Sequence, residues 1–508
     1  MKYLKKHFGI AFLLLLLPSL FLLSCSTNED SSSSSTTATT TDITTTTDNT
    51  TTTDNTTTTV TCPSSRTLTA STKVPLLLVR VQYADATFQS SETTWADKMF
   101  GTSDGQMNHY LDETTYGKYQ FTPAAETSGC TDDGVVTVTM SGNHPNTQTN
   151  TWACYASAAI TATDSSVDFS AYDNDSNGKL SLTELQVIFL VAGGESASGI
   201  NTPGGVWAQA TSLLCDANGN GSYEDESGEH GITLDSVRFL GYGTLGGVDY
   251  GQNGYSQFGE RQGSSSSSTW DATIGVMAHE LGHAYFLLPD LYCTTGTCKG
   301  IGNFGLMGGG TWGYKSSSEY AGATPVHFSA WAKEKLSICT PQTIASGTNS
   351  ITLPAVYQSS IHAASCGIYK ASTSTSGEYF LFENRSSGGY DQGFKGLLLD
   401  NSSIYAVGSS YSGGAAIWHV KDIYSSCFAS NNCETQTPPL VDLEEANDAD
   451  LDNASSQGRT THLFYSGNSA TFDNSSTPDS KLYDNSSSGI SATSISAAGD
   501  NMTLTISK

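Results

Sequence analysis

The chain has 508 residues, room for two or three domains, and its 24 tyrosines and 50 glycines suit a β- and loop-rich fold better than a helical bundle. A formal charge of −27, with 22 basic residues against 49 acidic ones, repels nucleic acid and excludes that class of partner. The acidity serves solubility or, in part, Ca²⁺ binding.

Lys2, Lys5 and Lys6 precede an apolar run from Phe8 to Leu23, the pattern of a secretory signal. It ends in Leu22-Leu23-Ser24-Cys25, which resembles the lipobox of bacterial lipoproteins; the alternative is an ordinary signal peptide or an uncleaved anchor. The resemblance implies that Cys25 is acylated and becomes the mature N-terminus. Ser26 is not the aspartate of an inner-membrane retention signal, so the expected location is the outer membrane or cell surface, with the lipid as the only membrane contact. Residues 26–72 are almost pure Ser, Thr, Asp and Asn, cannot bury a core, and are expected to form a disordered tether.

Ordered structure is expected from residue 73. Pro75 to Val81 and Val187 to Val191 read as buried strands, and helical stretches are expected around Trp95–Met99 and Gln106–Leu111. Beyond residue 345, short strand-like runs such as Glu378 to Phe382 and Ala416 to Val420 alternate with Ser/Gly/Asn turns. The expected fold is α+β over 73–345, followed by a β-rich C-terminal region over 346–508. With Cys25 lipidated, ten cysteines remain, an even number that reads as a disulfide set. Cys293/Cys298 and Cys427/Cys433 are near enough in sequence to pair locally.

Asp173-Asn174-Asp175-Ser176-Asn177-Gly178-Lys179-Leu180-Ser181, ending in Glu184, fits a twelve-residue Ca²⁺ loop. Asp173, Asp175, Asn177, Ser181 and Glu184 offer side-chain oxygens and Lys179 its backbone carbonyl, with Gly178 at the sharp turn. The following Leu185-Gln186-Val187-Ile188-Phe189 favours a strand, so the loop is expected without a second helix. A weaker run spans Asp216 to Asp225, and the stretch from Asp442 to Asp452 is expected to be mainly solvated.

The segment that carries chemistry is Thr273-Ile274-Gly275-Val276-Met277-Ala278-His279-Glu280-Leu281-Gly282-His283. Apolar residues at 274, 277 and 281 repeat at helical spacing, so one face packs inward. His279 and His283 then stand one turn apart on the same side, where both imidazoles reach one Zn²⁺. Glu280 follows the first ligand, where its carboxylate can take a proton from water. A catalytic zinc needs a third protein ligand and one open position. Asp290 is the nearest candidate, and Glu319 and His327 are the alternatives.

His279-Glu280-Leu281-Gly282-His283, then Leu288-Pro289-Asp290-Leu291-Tyr292, then Ile301 to Gly310 around Met307, together resemble the immune inhibitor A family of secreted bacterial metalloproteases, metzincin-like with an HExxH helix and a Met-turn. Pro325 to Trp331 is similar to the family's next helix, and Leu381 to Arg385 and Ile417 to Val420 to its downstream β segments. The resemblance, from about residue 74 to the C-terminus, implies a zinc endopeptidase acting on proteins or peptides, expected as a monomer. The chain departs from the family in the turn before Asp290, where Phe286-Leu287 stands in place of a glycine that would permit positive φ. It also has Cys293 where an aspartate is usual. Tyr292 or Tyr314 could hydrogen-bond the oxyanion that develops during peptide hydrolysis. Two other classes of answer are a calcium-stabilised surface adhesin on an inactive protease scaffold and a structural zinc domain. Glu280 weighs against the adhesin, because a non-catalytic domain has no need of a carboxylate between two ligands.

Overall fold

The computed structural model describes Cys62 and residues 67–146, 153–211, 213, 215, 232–239, 244–245, 248–249, 254–358, 365–400, 405–406, 411–446 and 450–508. The expected signal segment with Cys25, nearly all of the tether, and the acidic run at 216–225 lie outside the described residues.

The first elements are β1 (Thr72–Gln82), α1 (Glu92–Phe100), α2 (Met107–Thr114), β2 (Tyr119–Pro123), β3 (Val135–Thr139), β4 (Gln186–Glu195), β5 (Gly205–Val206), β6 (Gln209–Thr211), β7 (Tyr255–Ser265) and β8 (Ser268–Asp271). The strands form one eight-stranded sheet whose main order is β8-β7-β4-β1-β2. Pairs among β1, β2, β3, β4, β5 and β7 are parallel, whereas β6 and β8 run antiparallel to β7. Leu76 to Val79 and Val187 to Val191 have no solvent exposure. Apolar cover on both faces explains why these strands read as unbroken apolar runs rather than as alternating patterns. The two expected helices are α1 and α2, the first capped by Ser91, whose hydroxyl accepts the Thr94 N–H at 3.1 Å.

The chain continues through α3 (Ile274–Ala284), α4 (Ala330–Lys335), β9 (Gln342–Thr343), β10 (Thr348–Pro354), β11 (Tyr369–Ser372), β12 (Glu378–Asn384), β13 (Ala415–Lys421), α5 (Ser425–Ser430), β14 (Val441–Leu443), β15 (Ser491–Thr493) and β16 (Asn501–Ser507). Strands β9-β11-β12-β13-β14 form a second sheet, and β10-β16-β15 a third. Helices and sheets coexist, as an α+β reading requires. Cys62–Lys508 is one compact unit, and a single apolar core joins Leu76 and Leu78 of β1, Met277 and Leu281 of α3, and Leu381 and Trp418 of the second sheet. Described residues on either side of position 345 therefore share a core, with a further apolar cluster around Leu353, Phe382 and Leu504.

A buried polar knot ties β12 to the loops that lead to α4. Arg385, fully buried, donates from Nε and Nη2 to Asp391 at 2.7 Å each, and from Nη1 to the Phe304 carbonyl at 2.6 Å. Glu383 lies 3.3 Å from Arg385 and 3.6 Å from the equally buried Lys333, and it accepts the Trp418 indole N–H at 3.0 Å. Among the described residues there are five disulfides: Cys62–Cys130, Cys154–Cys215, Cys293–Cys298, Cys339–Cys366 and Cys427–Cys433. They use all ten cysteines and include both expected local pairs. Among the described residues no helix is long and apolar enough to cross a membrane.

Candidate metal centre and active site

Helix α3 buries Ile274, Met277 and Leu281 and presents His279 and His283 one turn apart on the same side. Gly282 is required here, because a Cβ at that position would sit 2.3 Å from the Met307 sulfur. Its absence lets the Met307 turn lie directly beneath the helix. The turn is tied in by the Leu291 N–H, which donates to the Met307 carbonyl at 2.8 Å.

Three donor atoms converge beside the helix. His279 Nε2 and His283 Nε2 lie 3.2 Å apart, and each is 3.1 Å from Asp290 Oδ1. A tetrahedral ion with bonds near 2.0–2.1 Å places its ligands about 3.3 Å apart. The triangle therefore fits zinc. The ring orientation supports the same conclusion. His279 Nδ1 faces the Leu306 carbonyl at 2.9 Å and His283 Nδ1 the Leu288 carbonyl at 2.7 Å. A carbonyl can only accept, so each Nδ1 carries a proton, and each ring in its neutral, metal-binding form turns the Nε2 lone pair inward. Two lone pairs and a carboxylate oxygen facing one point are repulsive unless a cation joins them. Burial works to lower the His283 pKa, yet the Asp290 charge beside it pushes it up to about 9. Burial works to raise Asp290, but His283 and His279 hold it well below the usual carboxylate range. The two shifts share one cause, the close approach of the Asp290 carboxylate to the two imidazoles.

The turn to Asp290 is made without glycine. Leu287 itself adopts φ +55°. Its N–H donates to His283 at 3.1 Å, and the next N–H, of Leu288, donates to Gly282 at 2.8 Å, which ends the helix. A left-handed non-glycine residue costs roughly 1–2 kcal/mol. Burying the leucine side chain, here 8% exposed, contributes about 1.5–3 kcal/mol. The apolar gain is large enough to hold the turn.

Glu280 is buried next to this centre. Burial raises its pKa, partly opposed by His279 and His283, and it accepts the backbone N–H of Ala210 on β6. A cleft of about 340 Å³ opens over these groups, lined among others by Trp207, Ala208, Leu287, Tyr292, Phe428 and Asn431. Of the two tyrosines considered for the oxyanion, Tyr292 lines the cleft with its ring 6.2 Å from that of His279, while Tyr314 packs at Gly396 outside the lining.

The alternative third ligands lie elsewhere. His327 is fully buried with Nε2 2.9 Å from Glu113, and Glu319 accepts from the Lys315 N–H and the Thr324 hydroxyl at 2.8 Å each. In the expected Ca²⁺ loop, carboxylate oxygens of Asp173, Asp175 and Glu184 come within 4.8 Å of one another. Lys179 and Leu180 then form a short strand, Ser181 donates to Glu184 at 2.7 Å, and β4 follows, so no helix succeeds the loop. In the stretch from Asp442, Glu444 meets His419 Nδ1 at 3.2 Å and Glu445 is buried, so part of it is held against the protein rather than solvated.

Two residues at the site escaped the sequence reading. Asn431 accepts the Asp290 N–H at 2.6 Å and donates to Asp290 Oδ2. Nothing in the sequence links positions 141 apart. Glu195 ends β4 with no exposure and accepts the N–H groups of Ala197, Ala208 and Gly259 at 2.9, 3.1 and 2.7 Å, which braces the cleft wall at 207–210. Burial pushes its pKa up to about 8. A signal for it did exist: a lone acid at the carboxyl end of an apolar parallel strand, where α/β sheets place their sites.

No curated protein gives a match to the chain. The downstream segments Leu381 to Arg385 and Ile417 to Val420 lie beyond the stretch matched by a family model. Within that stretch fall α3, Asp290 and the Met307 turn, and a match of this kind supports a metallopeptidase, whose substrates are proteins or peptides. Residues 255–339 match the model described as immune inhibitor A peptidase M6, catalytic domain, and that match supports the immune inhibitor A metallopeptidase family for this segment of the chain.

Proposed function

We propose that this chain is a secreted, lipid-anchored zinc endopeptidase that hydrolyses extracellular proteins, with 73–345 as a zincin-type catalytic domain, 346–508 as a β-rich region, and Cys25 as the outer-membrane or cell-surface anchor. The observation that carries the reading is the convergence of His279, His283 and Asp290 within 3.1–3.2 Å beside a buried Glu280 in an open cleft. His279, His283 and Asp290 would hold the ion. A zinc ion held by these residues would supply Lewis acidity toward the attacking water and the scissile carbonyl. Glu280 takes a proton from the attacking water and passes it to the amine nitrogen as the C–N bond breaks. Tyr292 lines the cleft with its phenol hydrogen-bonded to Asp290, and from there it can donate to the oxygen that gains charge.

Purified protein is expected to degrade casein, to stop when a zinc chelator is added, and to resume when zinc is returned in slight excess. Casein that stays intact at every zinc level would leave an inactive scaffold, such as an adhesin, as the better account.

We also assign Ca²⁺ to the loop of Asp173, Asp175, Asn177, Lys179, Ser181 and Glu184, supported by ligand spacing and the approach of its three carboxylates. At a hundredfold excess over its Kd, Ca²⁺ should stabilise the fold by about 2.7 kcal/mol, read as a rise in Tm that Glu184→Ala removes. An equal Tm with and without Ca²⁺ would end this assignment.

A further inference from the structure

The Asp290 carboxylate is divided between two directions. Oδ1 faces both histidines at 3.1 Å, Oδ2 accepts from the Asn431 amide, and the Tyr292 phenol also hydrogen-bonds this carboxylate. The same Asn431 side chain accepts the Asp290 backbone N–H through Oδ1 at 2.6 Å, so one amide grips the main chain and the side chain of one residue. Asn431 is itself well fixed. It ends α5 in the left-handed region at φ +47°, where asparagine is among the few residues tolerated, and its N–H donates to the Phe428 carbonyl at 3.1 Å. The Cys427–Cys433 disulfide closes the loop around it. The Cys293 sulfur lies 3.2 Å from the Glu434 carbonyl, which brings the segments of the two local disulfides together.

We infer that Asn431 is a positioning residue for the metal centre: its two-point grip fixes Asp290 as a one-oxygen ligand and keeps the second oxygen turned away from the ion. A carboxylate free to rotate would offer both oxygens and fill the position that water or substrate must occupy. Groups that orient a ligand in this way typically change metal affinity 10–100-fold when lost. The inference rests on the zinc reading above.

The test uses the full chain with two variants. Asn431→Gly retains the left-handed backbone and loses the grip. Asn431→Ala loses the grip and also strains the backbone. Zinc affinity is measured by competition with a chromophoric chelator, and the Co²⁺-loaded proteins are compared by visible absorption. Both variants are expected to bind zinc 10–100-fold more weakly than wild type and to show an altered Co²⁺ spectrum, with only Asn431→Ala markedly less thermostable. If Asn431 serves merely to end its helix, Asn431→Gly will hold zinc within twofold of wild type with an unchanged Co²⁺ spectrum, and the inference falls. A wild-type chain that takes up no zinc removes both this inference and the reading beneath it.

Discussion

Glu280→Gln is expected to lower kcat for peptide hydrolysis by 10²- to 10⁴-fold while zinc content stays at the wild-type level, following the usual contribution of a positioned acid–base group. The amide matches the carboxylate in shape and can still accept the Ala210 N–H, so the α3 helix and the cleft wall are preserved. It cannot take a proton from water. Glu280 is not one of the three groups whose donor atoms converge, so the ion's seat is untouched. Burial disfavours the charged carboxylate, and the neutral amide is therefore expected to leave Tm unchanged or slightly higher. Peptide turnover and elemental analysis on the same preparation decide the matter. Activity within tenfold of wild type would take the proton-transfer role away from Glu280.

Arg385→Leu should have the largest effect on stability. The guanidinium is fully buried and neutralises Asp391 through two hydrogen bonds of 2.7 Å, with Glu383 also in reach. Removing one partner of a buried pair leaves its counter-charge uncompensated, at a cost of about 3–5 kcal/mol. Lys333 remains near Glu383, so the loss falls mainly on Asp391. The double variant Arg385→Leu/Asp391→Leu removes both charges and is expected to recover a large part of the loss. Urea unfolding of the three proteins measures this directly. A single variant within about 1 kcal/mol of wild type would mean that the pair contributes little. The loss also frees the Phe304 carbonyl, two residues before the carbonyl that orients His279, so zinc affinity should fall with stability.

The parts of the site legible in the sequence were those that helical geometry writes into local spacing. His279, Glu280 and His283 needed only a rise of one turn. The apolar strands around Leu77 and Ile188 were legible because full burial removes alternation. Asp290 was visible as a candidate, yet the doubt about its route rested on too strict a rule for glycine: Leu287 takes the positive φ because its side chain is buried at the same time. His327 looked eligible as a ligand because any histidine after the motif does, and only packing shows it against Glu113. Asn431, and the reach of Arg385 to Phe304, arise from segments far apart in the chain, which local pattern cannot connect.

That long-range closure has a consequence for the order of events during synthesis. A nascent chain that has emerged only through residue 345 already carries His279, Glu280, His283 and Asp290. It still lacks Arg385 beneath the 304–307 turn, the Leu381 and Trp418 share of the apolar core, and Asn431 against Asp290. The hydrolytic centre is thus finished late, after most of the polypeptide exists.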